Sequence, residues 1–242
     1  MAAHVRRTWA ATASRACRGA RAGRAPVPAA RAAAAGAERD AGAGPGAGVE
    51  RVDVLSPRRE NRVRLRRCGD VDALLRLPEE YDALPHVAVA GRVNAGKSSF
   101  CNHLLRKSNL SKASSVAGRT DAVNLLLCNE QFVLADLPGY PAWDGDRRVP
   151  RDWVARLRPL IRDYLRLGAG AGEGEGADYF DLRALLWLHD VRWRITEQDV
   201  QFARMAEDLG VPTLLILTKD DRVGGHAERQ RRTEEIRAQL AW

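Results

Sequence analysis

Gly91-Arg92-Val93-Asn94-Ala95-Gly96-Lys97-Ser98 is a full G-x-x-x-x-G-K-[ST] loop. The apolar run His86-Val87-Ala88-Val89-Ala90 stands before it, and residues 99–106 after it carry Phe100, Leu104 and Leu105 at helical spacing. A strand, a glycine loop and a helix in this order aim successive backbone N–H groups and a helix N-terminus at phosphate. Gly91 and Gly96 let the backbone turn tightly around such a group. Lys97 is placed to reach the β- and γ-phosphates of a nucleotide, and the Ser98 hydroxyl to ligate Mg²⁺.

The chain downstream supplies the partners this loop needs. Residues 107–121 are rich in Ser, Lys and Gly and read as a loop. Within it, Gly118-Arg119-Thr120 offers a threonine hydroxyl as a second Mg²⁺ ligand. Residues 122–128 and 131–137 are two apolar runs joined by Asn129-Glu130, the pattern of a hairpin. The second run ends in Asp136-Leu137-Pro138-Gly139, a D-x-x-G motif 38 residues after Ser98. Asp136 is placed to hold Mg²⁺ through water, and Gly139 to offer its N–H to a γ-phosphate. Residues 140–150 are a candidate second switch, residues 151–167 a helix, and residues 168–177 (GAGAGEGEGA) a flexible insertion in a surface loop.

Residues 182–190 read as an apolar core strand. Residues 195–209 read as an amphipathic helix, capped by Thr196-Glu197-Gln198-Asp199 and stopped by Gly210. The buried run 211–217 leads into Thr218-Lys219-Asp220-Asp221, a T-K-x-D motif. The Asp221 carboxylate accepts two hydrogen bonds from guanine N1–H and N2–H₂, donors that adenine does not offer, while the stem of Lys219 covers the base. The expected nucleotide is therefore GTP or GDP rather than ATP. Alternating strands and helices predict a three-layer α/β/α fold with a mostly parallel sheet and one antiparallel hairpin. All four motifs fall at the carboxyl ends of strands.

The 242 residues carry a formal net charge of +8. The first 50 hold eight arginines against three acids and so account for +5 of it, which makes the basicity mostly a property of this tail. No acid precedes Glu38. Such a start fits an organelle transit peptide, for a mitochondrion or a chloroplast, or else a low-complexity tail without an address. Residues 51–84 read as a basic connector, in which Arg62-Val63-Arg64-Leu65-Arg66-Arg67 is either a solvated run, an edge strand or a contact to RNA phosphate. Residues 85–242 form the nucleotide-binding domain. The four cysteines (17, 68, 101, 128) lack the spacing of a zinc site or a disulfide framework, and Cys101 and Cys128 fall where small core residues belong. No run of 18 apolar residues is present, so no transmembrane helix is expected.

Over residues 84–223 these strings resemble an EngB-type GTPase, of the wider TrmE–Era–EngA–EngB–septin-like group: GRVNAGKSSFCNHLL, SSVAGRTDAVNLLL, VLADLPGYPAW, LRALLWLHDVRWRITEQD and LLILTKDD. The resemblance implies that residues 91–99, Ser99 included, bind phosphate and that Ser98 and Thr120 ligate Mg²⁺. It further implies that residues 136–139 sense the γ-phosphate and that Thr218, Lys219, Asp220 and Asp221 read guanine, with Lys97, Thr120 and Gly139 carrying the hydrolytic step. Tyr140 stands where Ras-like enzymes place a water-orienting Gln, so slow intrinsic hydrolysis is expected. Asn94 matches a loop asparagine that in related GTPases helps hold K⁺. Such proteins act in assembly of the large ribosomal subunit, and bacterial members are associated with cell division and septation. The implied partners are a ribosomal particle or rRNA, with the protein itself monomeric.

Two departures from the family pattern stand out. Asp121 replaces the usual Gln after Gly-Arg-Thr, and only 21 residues follow Asp221. The family's final strand, Ser-rich loop and helix are thus expected to be missing, leaving an uncovered sheet edge, an open base pocket and weak GTP affinity. A nucleotide-binding scaffold without useful turnover, or a P-loop ATPase, are the competing functions, and the T-K-x-D motif argues against the second.

Overall fold

A computed structural model of the chain describes residue 55 and residues 61–107, 121–141, 150–170 and 179–240. These belong to a unit spanning Val54–Trp242. Within it run, in chain order, β1 (Val63–Cys68), α1 (Val71–Leu75), α2 (Glu79–Asp82), β2 (Pro85–Gly91), α3 (Lys97–Leu105), β3 (Val123–Cys128) and β4 (Phe132–Asp136). A π-helical turn (Trp153–Leu157) then leads into α4 (Arg158–Gly168), followed by β5 (Asp181–Asp190), α5 (Glu197–Asp208), β6 (Thr213–Thr218), a 3₁₀ turn (Asp220–Arg222) and α6 (Gly225–Leu240).

The strands form one sheet in the order β1-β3-β4-β2-β5-β6. β4, β2, β5 and β6 pair in parallel, while β3 runs antiparallel to both β4 and β1. Alternation along the central strands sorts side chains onto two faces. Ala88 and Ala90, Leu125 and Leu127, and Val133 and Ala135 join one core with Leu160, Ile161 and Tyr164 of α4 and Phe202 and Ala206 of α5. Val89, Leu126, Cys128 and Leu134 join the other with Cys101 and Leu105 of α3. Both faces are therefore covered by helices, as a parallel sheet requires. Cys101 and Cys128 are fully buried core residues, and burial raises the Cys128 thiol to about 12.

The hairpin forms where the sequence places it. Asn129 and Glu130 take φ of 50° and 58°, and Gln131 N–H closes the turn on Cys128 O at 2.9 Å. Positive φ at both central residues matches the right-handed twist of the flanking strands. Asn129 also accepts from Arg62 N–H at 2.8 Å, which ties the turn to the start of β1.

The basic run 62–67 is the place where the sequence leaves three readings open, and the structure builds it as an edge strand. Its backbone pairs with β3 from Val63↔Cys128 to Cys68↔Val123. Arg62, Arg64 and Arg67 remain at the surface, where Arg64 lies 3.5 Å from Glu80 and Arg67 pairs with Asp121, while Arg66 is half-buried. At the opposite edge, β6 leaves Leu214 58% exposed.

One buried histidine is structural. His86 Nε2 stands 2.9 Å from Tyr81 O, which only accepts, so Nε2 carries the proton and Nδ1 accepts from the Tyr164 hydroxyl at 3.0 Å. Burial lowers its pKa to about 4 and keeps it neutral. Among the described residues, no helix is long and apolar enough to cross a membrane.

Candidate functional site

β2 delivers the glycine loop to the carboxyl edge of the sheet. Gly91 has φ +143°, and a Cβ there would lie 2.2 Å from Leu188 O on β5, so only glycine lets the two strands stay paired up to this point. Asn94 (φ 66°) and Gly96 (φ 98°) both take positive φ, and together they turn the loop into the first turn of α3. Phe100 N–H then bonds to Gly96 O at 2.8 Å. Positive-φ residues ahead of a nine-residue helix form the concave backbone that receives anions.

Lys97 is buried, and its Nζ donates to Gly91 O at 2.9 Å and Arg92 O at 3.0 Å. Burial lowers its pKa to about 8, against the opposing pull of the Asp136 carboxylate. An ammonium held at this cost by two carbonyls is poised for an anion that would restore its charge. Beside it, Ser98 Oγ donates to Asp136 Oδ2 at 3.0 Å. Asp136 closes β4 and is fully buried. A hydroxyl and a carboxylate at this spacing are hard oxygen donors and fit Mg²⁺.

The D-x-x-G segment is bonded to β2 near its start and, through the residue that follows it, to the glycine loop. Leu137 N–H donates to Val89 O at 3.0 Å and Val93 N–H to Tyr140 O at 2.9 Å, with Arg92 and Tyr140 forming a parallel bridge. Pro138 and Gly139 lie between these contacts. A Cβ on Gly139 would meet Lys97 Nζ at 2.8 Å and Val93 N and Cα at 2.9 Å. Gly118, Arg119 and Thr120 lie outside the described residues, as do residues 142–149 of the second candidate switch.

The T-K-x-D motif joins the same site from β6. Thr218 Oγ1 lies 2.8 Å from Ala95 O and 3.2 Å from His189 O. Lys219 has φ 59°, and its Nζ donates to Asn94 O and sits 3.0 Å from Asp190 Oδ2. Asp190 also accepts from Arg192, Nη2 to Oδ2 at 2.7 Å and Nε to Oδ1 at 2.9 Å. Burial works against its ionisation, yet the hydrogen bonds from Arg192 and Lys219 hold its carboxyl at about 2. Asp220 and Asp221 follow in the 3₁₀ turn, and Asp220 lies 3.4 Å from Arg229. Asp221 is exposed. Replacing Asp221 with alanine is expected to weaken GTP binding by about 2–3 kcal/mol while leaving ATP binding unchanged, which competition titration measures.

Several site residues are invisible as such in the sequence. Arg92 contributes more than loop backbone, since its guanidinium lies 4.5 Å over the Trp193 ring. Lys219 Nζ is 5.3 Å from the centre of the same ring, so Trp193 sits between the phosphate loop and the base motif. Tyr140 turns its hydroxyl inward to Asp199 Oδ1 at 2.7 Å and accepts from Trp187 Nε1 at 2.8 Å. The tyrosine at the Gln position therefore does not orient water. The one sequence signal for these roles is the string HDVRWRITEQD, which contains His189, Asp190, Arg192, Trp193 and Asp199.

The chain is similar to known proteins. Residues 86–219 match the family model described as "50S ribosome-binding GTPase". The chain is 36% identical over 157 residues to the probable GTP-binding protein EngB of Gemmatimonas aurantiaca, spanning 65% of this chain and 69% of that protein. It is 34% identical over 167 residues to that of Syntrophus aciditrophicus, spanning 68% and 77%. It is also similar to the crystal structure of a probable GTP-binding protein engB, with TM-score 0.47 and 18% identity, over 64% of this chain and 80% of that one. With its phosphate loop, D-x-x-G segment and T-K-x-D motif on one sheet edge, this chain belongs to the 50S ribosome-binding GTPase family and is an EngB-type GTPase.

Proposed function

We propose that the chain is a Mg²⁺-dependent GTP switch that assists assembly of the large ribosomal subunit in an organelle, a mitochondrion or a chloroplast. The observation that carries the switch is the contact of Ser98 with Asp136 beside Lys97, because it joins the phosphate loop to the segment that must sense the γ-phosphate. The matched family's description supports the ribosomal particle or its rRNA as partner. Exposed arginines on β1 are suited to RNA phosphate. The Arg-rich, acid-poor first 37 residues support the organelle.

Each group has a defined task. Backbone N–H groups of the glycine loop and the α3 N-terminus receive the β-phosphate, and Lys97 Nζ turns from the Gly91 and Arg92 carbonyls to the phosphate oxygens. Ser98 would hold Mg²⁺ directly and Asp136 through water, with Thr120 as the further ligand. When bound, the ion neutralises charge on the phosphates. Gly139 N–H meets the γ-phosphate, so loss of that group releases the segment Asp136-Leu137-Pro138-Gly139. Asp221 and Lys219 hold guanine.

Because Tyr140 is committed to Asp199, intrinsic turnover is slow, and a cation or a partner is needed to raise it. Asn94, exposed at the mouth of the loop, is suited to hold K⁺ there. Multiple-turnover phosphate release is therefore expected to rise in K⁺ over Na⁺ buffer and again when large-subunit precursor particles are added. Equal rates in K⁺ and Na⁺ would remove the K⁺ role. No gain with particles would favour a scaffold that docks in its GTP form without useful turnover.

A further inference from the structure

Beside the phosphate loop lies a buried polar cluster whose members come from the loop, the segment after D-x-x-G, β5 and α5. Its centre is Asp199 in the first turn of α5, with no exposure to solvent. Oδ2 accepts from Thr196 N–H at 2.8 Å and Thr196 Oγ1 at 2.7 Å, which closes a capping box. Oδ1 accepts from the Tyr140 hydroxyl at 2.7 Å. Arg92 Nη1 stands 3.9 Å from Oδ2, and the buried Arg92 Nε makes no hydrogen bond. His189 Nδ1 is 4.0 Å from Oδ1, and burial lowers its pKa.

Capping α5 requires only Oδ2, so the second oxygen has another task. Packing does not explain it. The Tyr140 ring stacks on Phe202 at 5.1 Å, an arrangement phenylalanine would make equally well, whereas the hydroxyl adds a buried polar group between Asp199 Oδ1 and Trp187 Nε1. The hydroxyl thus serves to connect. Tyr140 follows Gly139 directly, and its carbonyl already accepts from Val93 in the phosphate loop. The residue is held at its backbone by the loop and at its side-chain tip by α5. Gly139, packed against Val93, has little room between them.

We propose that Asp199 is a positioning residue: by holding the Tyr140 hydroxyl it fixes Gly139 against the phosphate loop, and so sets how strongly the site prefers a nucleoside triphosphate over a diphosphate. Arg92, leaning on the same carboxylate from the loop, makes that acceptor common to the loop and the switch. The proposal rests on the GTP-switch reading above.

The test uses the full chain with Tyr140→Phe, Asp199→Asn and the double variant, each measured for GDP affinity, for affinity to a non-hydrolysable GTP analogue, and for single-turnover phosphate release. Tyr140→Phe keeps the ring and removes the hydroxyl, with its bonds to Asp199 Oδ1 and from Trp187 Nε1. It is expected to bind GDP within about twofold of the parent chain while losing about two- to tenfold in analogue affinity and in release rate. The double variant is expected to match the stronger single one, because both act through one bond. Where Asp199→Asn fails to fold, Tyr140→Phe decides alone. Equal loss for GDP and analogue, or an unchanged ratio and rate, overturns the proposal and leaves the cluster a structural brace. A parent chain that binds neither nucleotide removes the GTP-switch reading, and this inference with it.

Discussion

Lys97→Ala is expected to weaken GDP and GTP binding by about 3–4 kcal/mol, roughly 10²- to 10³-fold, since it removes a buried cation from a phosphate site. Titration with a fluorescent guanine nucleotide measures the loss. The same substitution is expected to cost the free protein little. Among the described residues, the buried Nζ of the free chain has the Gly91 and Arg92 carbonyls as its hydrogen-bond partners, and burial has already lowered its pKa to about 8. Relief from burying an ammonium offsets the absence of its hydrogen bonds to those two carbonyls. Thermal unfolding without nucleotide should therefore barely change, while the stabilisation normally added by GDP disappears. A large drop in the melting temperature of the free variant would mean that Lys97 braces the fold instead. The lowered pKa adds a second expectation. Phosphate returns Lys97 to its fully charged form, so GDP binding takes up a proton near pH 8 and weakens as pH rises through that value.

Gly139→Ala is expected to slow single-turnover GTP hydrolysis by about 10²-fold. The added methyl would lie 2.9 Å from Val93 N and Cα, which are backbone atoms and cannot turn aside as the Lys97 ammonium can. The segment must move off the loop, at about 1–3 kcal/mol, and the Val93 N–H bond to Tyr140 O goes with it. GDP lacks the γ-phosphate that Gly139 N–H would meet, so GDP affinity is expected to change far less. Hydrolysis by the variant at the parent rate would show that Gly139 is not held where this packing puts it.

These two residues differ in how far the sequence reveals them. Lys97 is legible at once, because the spacing of Gly91, Gly96, Lys97 and Ser98 is a local pattern and the loop is built from consecutive residues. The hairpin at Asn129-Glu130 and the capping box at Thr196 are legible for the same reason. Gly139 is legible as part of D-x-x-G, but its contact with Val93 is not. The two residues are far apart in the chain and meet only because β4 and β2 are neighbours.

Edge pairing is equally hidden. The run Arg62-Val63-Arg64-Leu65-Arg66-Arg67 reads as well for a solvated segment as for a strand, because its charges lie on side chains while its pairing is made by backbone. Local pattern does not say whether another edge will be offered to it. The inward turn of Tyr140 is illegible for a similar reason. A tyrosine after D-x-x-G is silent about its hydroxyl until α5 brings Asp199 to it.

By itself, then, the sequence determined the chemistry of the parts: a phosphate loop, a D-x-x-G carboxylate, a T-K-x-D motif and the strand and helix periods that carry them, all set by short-range spacing. Only the tertiary structure decided how those parts are coupled. It placed Ser98 against Asp136, Thr218 against Ala95, Arg92 over Trp193 and Tyr140 on Asp199. Such contacts join residues far apart in the chain, and they follow from strand order and helix packing rather than from any window of sequence.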